Sequence, residues 1–593
     1  MTVWAVLSIA VLSGAVTTIG FGALLFPSKA SAGERLLGGA LLTVGAVVVG
    51  VRVLGAIGAL STTVVLGAGV VVSATVVAAV YIRGLPWLRV RPPVSVETVP
   101  VLLVAGGGLA IATMAAYLLP VWQFDALGYH LPYVNFTLQH GTLADVPVDV
   151  PYVSTYPHNV ENVFVAWRAL LPDDRLVELG HLPFGLLGGL AIAVIARGQG
   201  ARPATATAAG AAWLTLPAVF LQLPTNYVDV ASAALLLTAI AFVLGPVDRT
   251  RMLLAATALG LFVGSKPSTP VAALIVFAAL VVVAWRAASW RTLGVAGLLV
   301  LVLGGETYVT NIVRQGNPVW PVRIDVGPIH LPGRYPMSEL LASGAGAPRA
   351  SGNLIERVVT SWTTIWPPVP AFDMRVGGLG LLFLAALPVA LFRAARTRSV
   401  LVALVFSSTL ATPDPAVARF VLPFAALVLA FAAPALDHRR IGRAARVAVF
   451  GLVALVAAHS LYVAYPGLTG EGPPLRDYFG MTDDERRRAV GAEGPPTKFI
   501  DAVEQVGPGE ITLFDHTLEL PYYAWPPDLS RSAARIPDDV TAEAADRLVH
   551  DDNVRLLFVG RNTAAGAAVR RDLPSFVRLF DCRFSACSVY LRR

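Results

Sequence analysis

Charged side chains are scarce in this sequence. Asp, Glu, Lys and Arg make up 14% of its 593 residues, against 55% hydrophobic residues, whereas a soluble protein carries about 25% charged residues. A larger soluble core does not account for the deficit, because such cores stop growing with chain length and split into domains. The composition therefore excludes an ordinary soluble protein and predicts that lipid covers much of the surface.

Cysteine is almost absent, since Cys582 and Cys587 are the only two. Two cysteines are too few for a metal cluster. They flank the sequence Arg-Phe-Ser-Ala and would close a short hairpin. In an oxidising exterior this pair is expected to form a disulfide, and two free thiols are the alternative.

Signals for binding nucleic acids or nucleotides are lacking as well. The net charge is +7, but no basic run is interleaved with aromatic residues, as a single-strand binding groove requires. No Gly-rich phosphate loop follows a predicted strand. The basic residues lie in short loops between apolar segments, which is typical of cytoplasmic loops under the positive-inside rule. They are Arg83, Arg89, Arg91, Arg197, Arg202, Arg249, Arg251, Arg286, Arg291, Arg393, Arg396, Arg398, Arg439, Arg440 and Arg443.

Long apolar segments make up most of the chain. Many reach or approach the ~20 residues that a spanning helix needs, and we count about fourteen. The first, from Val3 to Phe26, is too long for an ordinary signal peptide and is interpreted as a retained span. Ten of the predicted spans cover about 3–26, 37–57, 61–82, 99–120, 175–196, 203–221, 228–245, 251–264, 269–285 and 293–310. Four more follow and end near Tyr465.

Two long polar loops and the last part of the sequence are predicted to lie outside the cytoplasm, from the alternation of spans and the charge rule. The loops cover about 121–174 and 311–375. In the first loop, helical patterns over Ala126–His140 and Asn159–Leu171 are too short to span and predict helices in the plane of the interface. Residues 467–593 contain short strand-like runs and predict a small α/β domain. The chain is thus divided into N-terminal transmembrane helices at 1–97, a transmembrane core at 98–466 and the α/β domain at 467–593.

Asp125 is the first candidate for chemistry. It lies just past the predicted span 99–120, at the membrane surface. A transferase that joins a sugar to a hydroxyl needs a base to remove the hydroxyl proton, and a half-buried carboxylate can be tuned for that task. The alternative is structural, because Asp before a helical pattern is a favoured N-cap. Both roles stay open.

Four short motifs follow one another along the predicted membrane core. They are DALGYHLP at 125–132, GSK at 264–266, NIVRQGNPVWP at 311–321 and RFVLP at 419–423. Together with the layout of spans and loops, they resemble the GT-C superfamily, the polyprenyl-phosphate-sugar-dependent glycosyltransferases that include the dolichyl-phosphate-mannose and aminoarabinose transferase types. The resemblance covers about residues 98–465. For a polytopic α-helical membrane protein of about 13–14 spans by length, the resemblance implies a GT-C-like core with in-plane helices in the first outer loop. It also implies that an acidic residue of this loop is the base, and Asp125 matches that position.

The resemblance also implies a second acid and a phosphate site. Many members carry a second acidic residue beside the first, but the neighbours of Asp125 are apolar. The candidates are Asp229, Glu161 and Asp149, and capping or a solvated position in the loop is the alternative for each.

Three basic residues near outer span ends are candidates for binding the donor phosphate. Lys266, Arg419 and Arg314 would stabilise the charge that develops on the leaving phosphate. Snorkelling to lipid headgroups is the alternative for each of them.

Tyr129, His130 and His158 are further candidate substrate contacts. The two histidines could also hold a divalent metal with the acids of the loop. They lack a tight ligand spacing such as His-x-x-x-His, so no metal ligand is assigned and hydrogen bonding is the alternative. Glu306 lies within a predicted span and is expected to pair with a neighbouring helix.

The sequence therefore predicts a membrane glycosyltransferase with an inverting mechanism and Asp125 as general base. The donor is a polyprenyl-phosphate sugar, the acceptor a cell-envelope glycan, lipid or protein, and nucleic acid is not a partner. The predicted location is a bacterial plasma membrane, with the active site and the C-terminal domain extracytoplasmic. A transporter or flippase for lipid-linked saccharides is the main rival, although its polar residues would gather near the bilayer midplane. A scaffold without activity is a third possibility.

Overall fold

The computed structural model describes ten stretches of the chain. They are residues 2–25, 30–88, 93–143, 151–287, 289–336, 352–365, 376–439, 441–492, 494–582 and 586–593.

The larger part of the chain is a bundle of apolar helices. Eight described helices are long and apolar enough to cross a membrane, and a bent pair makes a ninth when it counts as one span. The fold class predicted from hydropathy, a polytopic helical membrane protein with a small C-terminal α/β domain, is confirmed. The eight are Val3–Leu25, Ala32–Ala56, Thr62–Ile82, Val99–Leu118, Val177–Gly198, Gly380–Thr397, Ala418–Asp437 and Arg443–Leu468.

The count of about fourteen predicted spans exceeds this number because several predicted spans are shorter helices, of 11 to 17 residues. A fully buried helix is apolar on every side whether protein or lipid surrounds it, so hydropathy counts both kinds alike. Every residue of Asp229–Val243 is buried, for example. The shorter helices are Pro203–Trp213, Asp229–Val243, Arg249–Val263, Pro270–Arg286 and Val400–Leu410.

Glycine permits a close helix crossing in the bundle. A Cβ on Gly189 would lie 2.8 Å from the carbonyl oxygen of Gly210, and one on Gly210 would lie 2.2 Å from that of Gly189. The helices that carry them therefore touch backbone to backbone, as small residues allow in membrane proteins. This close packing supports the side of the bundle that also packs against Asp229–Val243.

The predicted span 293–310 is broken. The helix Trp290–Gly304 ends at Gly305, and Glu306–Gln315 leaves it at an angle of 64°. A Cβ on Gly304 would lie 2.5 Å from the carbonyl oxygen of Gly260, so this turn packs directly on a neighbouring helix. Glu306 pairs with Arg52 of another helix at 3.1 Å. The predicted contact of Glu306 with a neighbouring helix is confirmed.

The first polar loop forms the two helices that its sequence predicts. A π-helical turn, Ala126–His130, leads into Leu131–His140, and Asn159–Arg168 follows. Turns of π-helix are rare and often lie at functional sites. The other helices outside the bundle spans are Pro151–Ser154, Pro217–Phe220, Leu354–Thr363, Asp483–Ala489, Thr497–Val503, Ala542–Val549 and Ala564–Arg571.

The strands within the described stretches form two sheets. The second polar loop carries β1 (Val322–Val326), β2 (Ile329–Leu331) and β3 (Tyr335–Pro336) in the order β2-β1-β3. The C-terminal domain has a five-stranded sheet in the order β5-β4-β6-β8-β7, in which β4, β5 and β6 are parallel and β7 and β8 antiparallel. Its strands are β4 (Ile511–Phe514), β5 (Ser532–Arg535), β6 (Val554–Gly560), β7 (Phe576–Asp581) and β8 (Cys587–Arg592).

The β7–β8 hairpin is closed by a disulfide between Cys582 and Cys587, whose Cα atoms are 5.3 Å apart. The pairing expected in an oxidising exterior is thus the one that the structure contains.

The C-terminal domain docks on the helix Leu131–His140. The Gln139 side chain accepts hydrogen bonds from Trp525 Nε1 (2.7 Å) and from the backbone N–H of Ala533 (2.9 Å). Phe136 of the same helix packs edge to face on Trp525, with ring centroids 4.7 Å apart. The domain therefore contacts the loop that begins at Asp125.

Candidate active site

Asp125 does not cap a helix. Its backbone is already helical, with φ −65° and ψ −35°, and its side chain makes no capping hydrogen bond. An N-cap residue needs an extended backbone so that its side chain can fold back on the next turn. The capping alternative is therefore wrong for Asp125, and its carboxylate points to other partners.

Arg419 is the principal partner of Asp125. Its Nη1 donates to Asp125 Oδ2 at 2.9 Å and lies 3.5 Å from Asp229 Oδ2. Asp125 and Arg419 are 294 positions apart, so the bundle itself brings them together. Arg419 is held at the start of the Leu422–Ala432 helix by a short 3₁₀ turn.

Lys266 joins the same cluster through Asp229. Its Nζ donates to Asp229 Oδ1. Asp229 begins a wholly buried helix and its side chain is 4% exposed, so it needs cations nearby to remain charged. We refer to Asp125, Asp229, Lys266 and Arg419 as the charge cluster. Its formal charges sum to zero.

Tyr227 completes one side of the charge cluster, although sequence analysis did not single it out. The backbone N–H of Asp125 donates to Tyr227 Oη at 3.2 Å. The guanidinium of Arg419 lies 5.1 Å from the centre of the Tyr227 ring, within the range of a cation–π contact. The sequence signal that could have identified Tyr227 is its position two residues before Asp229.

A cavity opens beside the charge cluster. The polar wall of this cavity consists of Lys266, Arg419, the Asp229 carboxylate that pairs with them, and several hydroxyls, and apolar side chains form the remainder. Such a combination suits an anionic head on an apolar tail. Its lining is Asp229, Ser232, Ala233, Leu236, Phe262, Lys266, Ser268, Thr269, Ala272, Ser408, Thr409, Ala411, Thr412, Arg419, Phe420 and Pro423.

Glu161 lies in a separate buried group with the two candidate histidines. His130 Nδ1 donates to Glu161 Oε1 at 2.7 Å, and His158 Nδ1 lies 3.7 Å from the same oxygen. Burial raises the pKa of Glu161, but the hydrogen bonds and charges of His130 and His158 outweigh it and hold this pKa at about 2. His158 also donates from Nε2 to the Val153 carbonyl (2.7 Å). Glu161 therefore positions the histidines beside the charge cluster.

No group of three or more His, Cys, Asp or Glu side chains is arranged to hold a metal ion within the described stretches. The hydrogen bond between His130 and Glu161 joins Nδ1 of the ring to Oε1 of the carboxylate.

Tyr129 lies against Asp125 within a group of tyrosines. Its ring centre is 5.9 Å from that of Tyr152 and 5.8 Å from that of Tyr156, and Tyr152 stacks on Tyr335 of the second polar loop at 6.1 Å. Burial, and then the charge of Asp125, raise the pKa of Tyr129 well above its usual range. The Tyr129 hydroxyl is therefore protonated at neutral pH, and it adds no charge beside Asp125.

One further candidate, Arg314, does not join the charge cluster. Arg314 is exposed on Glu306–Gln315 and, in the described part of the chain, makes no ion pair with the cluster. Asp149 lies outside the described residues.

Comparison with known proteins relates the chain to solved structures only. Its sequence matches no protein-family model and no curated protein. Its structure is similar to that of ArnT from Cupriavidus metallidurans bound to undecaprenyl phosphate, with a TM-score of 0.52 and 13% identity over 83% of this chain and 97% of that one. The apo form of ArnT gives a TM-score of 0.52 and 15% identity over 84% and 98%. At these identities the likeness is one of fold, and it agrees with the fold that the resemblance of the motifs implies.

Proposed function

We propose that this protein is an integral-membrane glycosyltransferase that moves a sugar from a polyprenyl-phosphate donor to an acceptor hydroxyl. The observation that carries the proposal is the position of Asp125 beside a cavity that contains Lys266 and Arg419. A base and a cationic phosphate site within one cluster are what such a displacement requires.

The donor fits the cavity by its chemistry. Its phosphate would bind Lys266 and Arg419, assisted by the hydroxyl of Thr412, which lines the cavity and has no hydrogen-bond partner among the described residues. Its polyprenyl tail would follow the apolar wall towards lipid. The similar fold of ArnT has been crystallised with undecaprenyl phosphate, which supports a carrier of this type.

Asp125, Arg419 and Lys266 would act directly in the reaction. Asp125 takes the proton of the acceptor hydroxyl, whose oxygen attacks the anomeric carbon. The bond from that carbon to the phosphate oxygen breaks, and the polyprenyl phosphate leaves with the electron pair. Arg419 and Lys266 stabilise its negative charge. Attack opposite the leaving group inverts the anomeric centre.

Asp229 is the second acid in this scheme, in preference to Glu161. It contacts both cations of the cluster, whereas Glu161 is occupied by the histidines. Asp229 holds Lys266 and Arg419 at the cavity while the site is empty. Tyr129 and His130 would contact the sugar or the acceptor.

The proposed setting is the outer face of a bacterial plasma membrane. Basic residues in the predicted cytoplasmic loops and the disulfide of the C-terminal domain support this orientation. The proposed acceptor is a cell-envelope glycan, lipid or protein.

The test measures transfer from radiolabelled polyprenyl-phosphate sugars to an envelope extract, with purified wild type, Asp125→Asn and Asp414→Asn. Asp414 is the matched control, because it pairs with Arg357 at 3.3 Å outside the charge cluster. Loss of the base should lower kcat at least about a hundredfold, and the control should stay within about threefold of wild type.

Equal transfer by wild type and Asp125→Asn would reject Asp125 as base. Absence of transfer with every donor, in protein that binds polyprenyl phosphate, would reject the enzyme and favour a transporter. Flipping of a labelled donor in vesicles would then identify it.

A further inference from the structure

The C-terminal domain contains a second cavity, of about 490 Å³. This volume is within the ~300–1,000 Å³ typical of small-molecule sites. Asp515 follows β4, Ile536 follows β5 and Gly560 ends β6, and all three line the cavity. In open α/β sheets, ligands bind outside the carboxyl ends of parallel strands. The cavity therefore has the position of a ligand site.

The floor of the cavity is rigidly built. Asp515 is 3% exposed. Its Oδ2 accepts from the N–H of Gly560 at 2.9 Å, and its Oδ1 from the N–H of Thr517 at 3.0 Å. A Cβ on Gly560 would lie 2.5 Å from the Thr517 side chain. These contacts join the loops after β4 and β6 and keep the space between them open.

The Asp515 carboxylate is occupied by hydrogen bonds from neutral groups, and the other ionisable side chains around the cavity are paired with one another or with a neighbour. His516 Nδ1 lies 3.1 Å from Asp538 Oδ1, and Arg535 donates to the same oxygen at 2.9 Å. Arg561 pairs with Asp581 at 3.0 Å. A phosphate or a cation would therefore be attracted only weakly, because the charges at the cavity wall are neutralised by their partners. A neutral ligand with many hydroxyls suits this wall, because paired charges, amides and hydroxyls both donate and accept hydrogen bonds.

Asn562 and Thr563 add neutral hydrogen-bonding groups, and Ile536, Pro537 and Val540 add an apolar strip. Hydroxyls on one side and C–H groups on the other are the surface of a sugar ring. The lining therefore fits a saccharide better than a nucleotide or a free anion.

The loop after β4 connects this cavity to the active site. Residues 515–517 line the cavity, and two residues later the carbonyl oxygen of Glu519 lies 3.7 Å from the Cβ position of Gly128. Gly128 belongs to the π-helical turn that begins after Asp125. The loop that lines the cavity thus also contacts the turn that follows the proposed base.

The second polar loop makes a parallel connection. Arg334 lies 3.5 Å from Asp538 at the cavity wall. The next residue, Tyr335, stacks on Tyr152 in the tyrosine group beside Asp125.

We propose that this cavity binds the saccharide part of the acceptor, and that the acceptor is a glycan longer than one sugar unit. The inference rests on the proposed function. The glycan is anchored in the C-terminal domain while its reacting hydroxyl reaches Asp125. Lipid or protein acceptors without a glycan would lack this anchor.

The first experiment measures binding alone, by calorimetry on the detergent-purified full chain. The probes are neutral di- to hexasaccharides of hexoses and of pentoses, with inorganic phosphate as the competing probe. The exposed Asn562→Trp fills the cavity and His516→Ala removes a hydrogen-bonding ring. Asp552→Asn is the control, since Asp552 is fully exposed just before β6, at the opposite edge of the sheet.

We expect at least one oligosaccharide to bind wild type and the control, with affinity at least tenfold lower in Asn562→Trp and in His516→Ala. Binding that is equal in all four proteins, binding of phosphate only, or no binding by any saccharide would each overturn the proposal. Thermal unfolding and disulfide formation check that both cavity variants are folded.

The second experiment separates this proposal from the proposed function. In transfer assays the cavity variants should raise the acceptor KM at least tenfold, leave kcat within about twofold, and leave polyprenyl-phosphate binding unchanged. An unchanged acceptor KM would overturn the acceptor site. Absence of any donor consumption by wild type would instead reject the glycosyltransferase, while the calorimetry would still decide whether the cavity binds a saccharide.

Discussion

Replacing Lys266 by methionine tests whether the charge cluster is both a structural unit and a phosphate site. Methionine keeps nearly the length of the side chain and removes only the ammonium group. Asp229, 4% exposed, would lose the contact with Nζ and retain Arg419 at 3.5 Å. A buried carboxylate would then share one cation with Asp125.

The expected cost follows from that geometry. Two unit charges 4 Å apart interact by about 4 kcal/mol at an effective dielectric constant of 20, and removing one partner of a buried ion pair costs ~3–5 kcal/mol. Because Arg419 still compensates Asp229 in part, we expect the lower end, about 3 kcal/mol. The thermal midpoint of the purified protein should therefore fall clearly below that of wild type.

The double variant Lys266→Met, Asp229→Asn separates stability from catalysis. Asparagine is neutral and needs no cation, so most of the lost stability should return. Transfer should not return, because the leaving phosphate still lacks the ammonium group. Lys498→Met is the matched control, since Lys498 belongs to the C-terminal domain, on Thr497–Val503.

Two results would refute this reasoning. An unchanged midpoint in Lys266→Met would mean that Asp229 does not depend on the lysine. Recovery of transfer in the double variant would mean that Lys266 only stabilises Asp229 and does not act on the phosphate.

Three further predictions concern other parts of the molecule. Glu161 has its pKa lowered to about 2. Its contribution to stability should therefore be complete above its unfolded pKa and be lost as pH falls towards 2. In thermal scans from pH 6 to 3, the unfolding midpoint should depend less steeply on pH in Glu161→Gln than in wild type, and an equal dependence would contradict this. Replacing Cys582 and Cys587 by serine removes a disulfide between residues that are five positions apart in sequence. The stability of the C-terminal domain should fall by about 2 kcal/mol, and unchanged protease resistance of the domain would argue against this prediction. Gly566→Ala should prevent that domain from folding, because the added Cβ would lie 1.9 Å from the Gly560 carbonyl oxygen. Protease resistance of the C-terminal domain equal to that of wild type would contradict this.

Local sequence pattern predicts much of the fold. Hydropathy identifies the helical bundle, and the change in composition near 467 identifies the C-terminal domain, where β4 covers the predicted Ile511–Phe514. Helix ends are less predictable. The break at Gly305 follows Gly304, which packs against Gly260 of another helix, and the periodicity of the segment itself does not reveal such a contact.

The charge cluster was only partly predictable. The position of Asp125 after a span marks it as a candidate, and Lys266 and Arg419 lie near span ends for the same reason. Their pairing joins residues far apart in sequence, so tertiary packing decides it. The same limit explains why Arg314, chosen by the same signal, stays outside the cluster.

The sharing of Arg419 between two carboxylates also bears on the order in which substrates are used. In the empty site the guanidinium donates to Asp125 and so competes with an acceptor hydroxyl for that carboxylate. An arriving donor phosphate would draw Arg419 towards itself and release Asp125 for the acceptor. We therefore expect a compulsory sequence, donor before acceptor, and an enzyme that stays idle while only the acceptor is present.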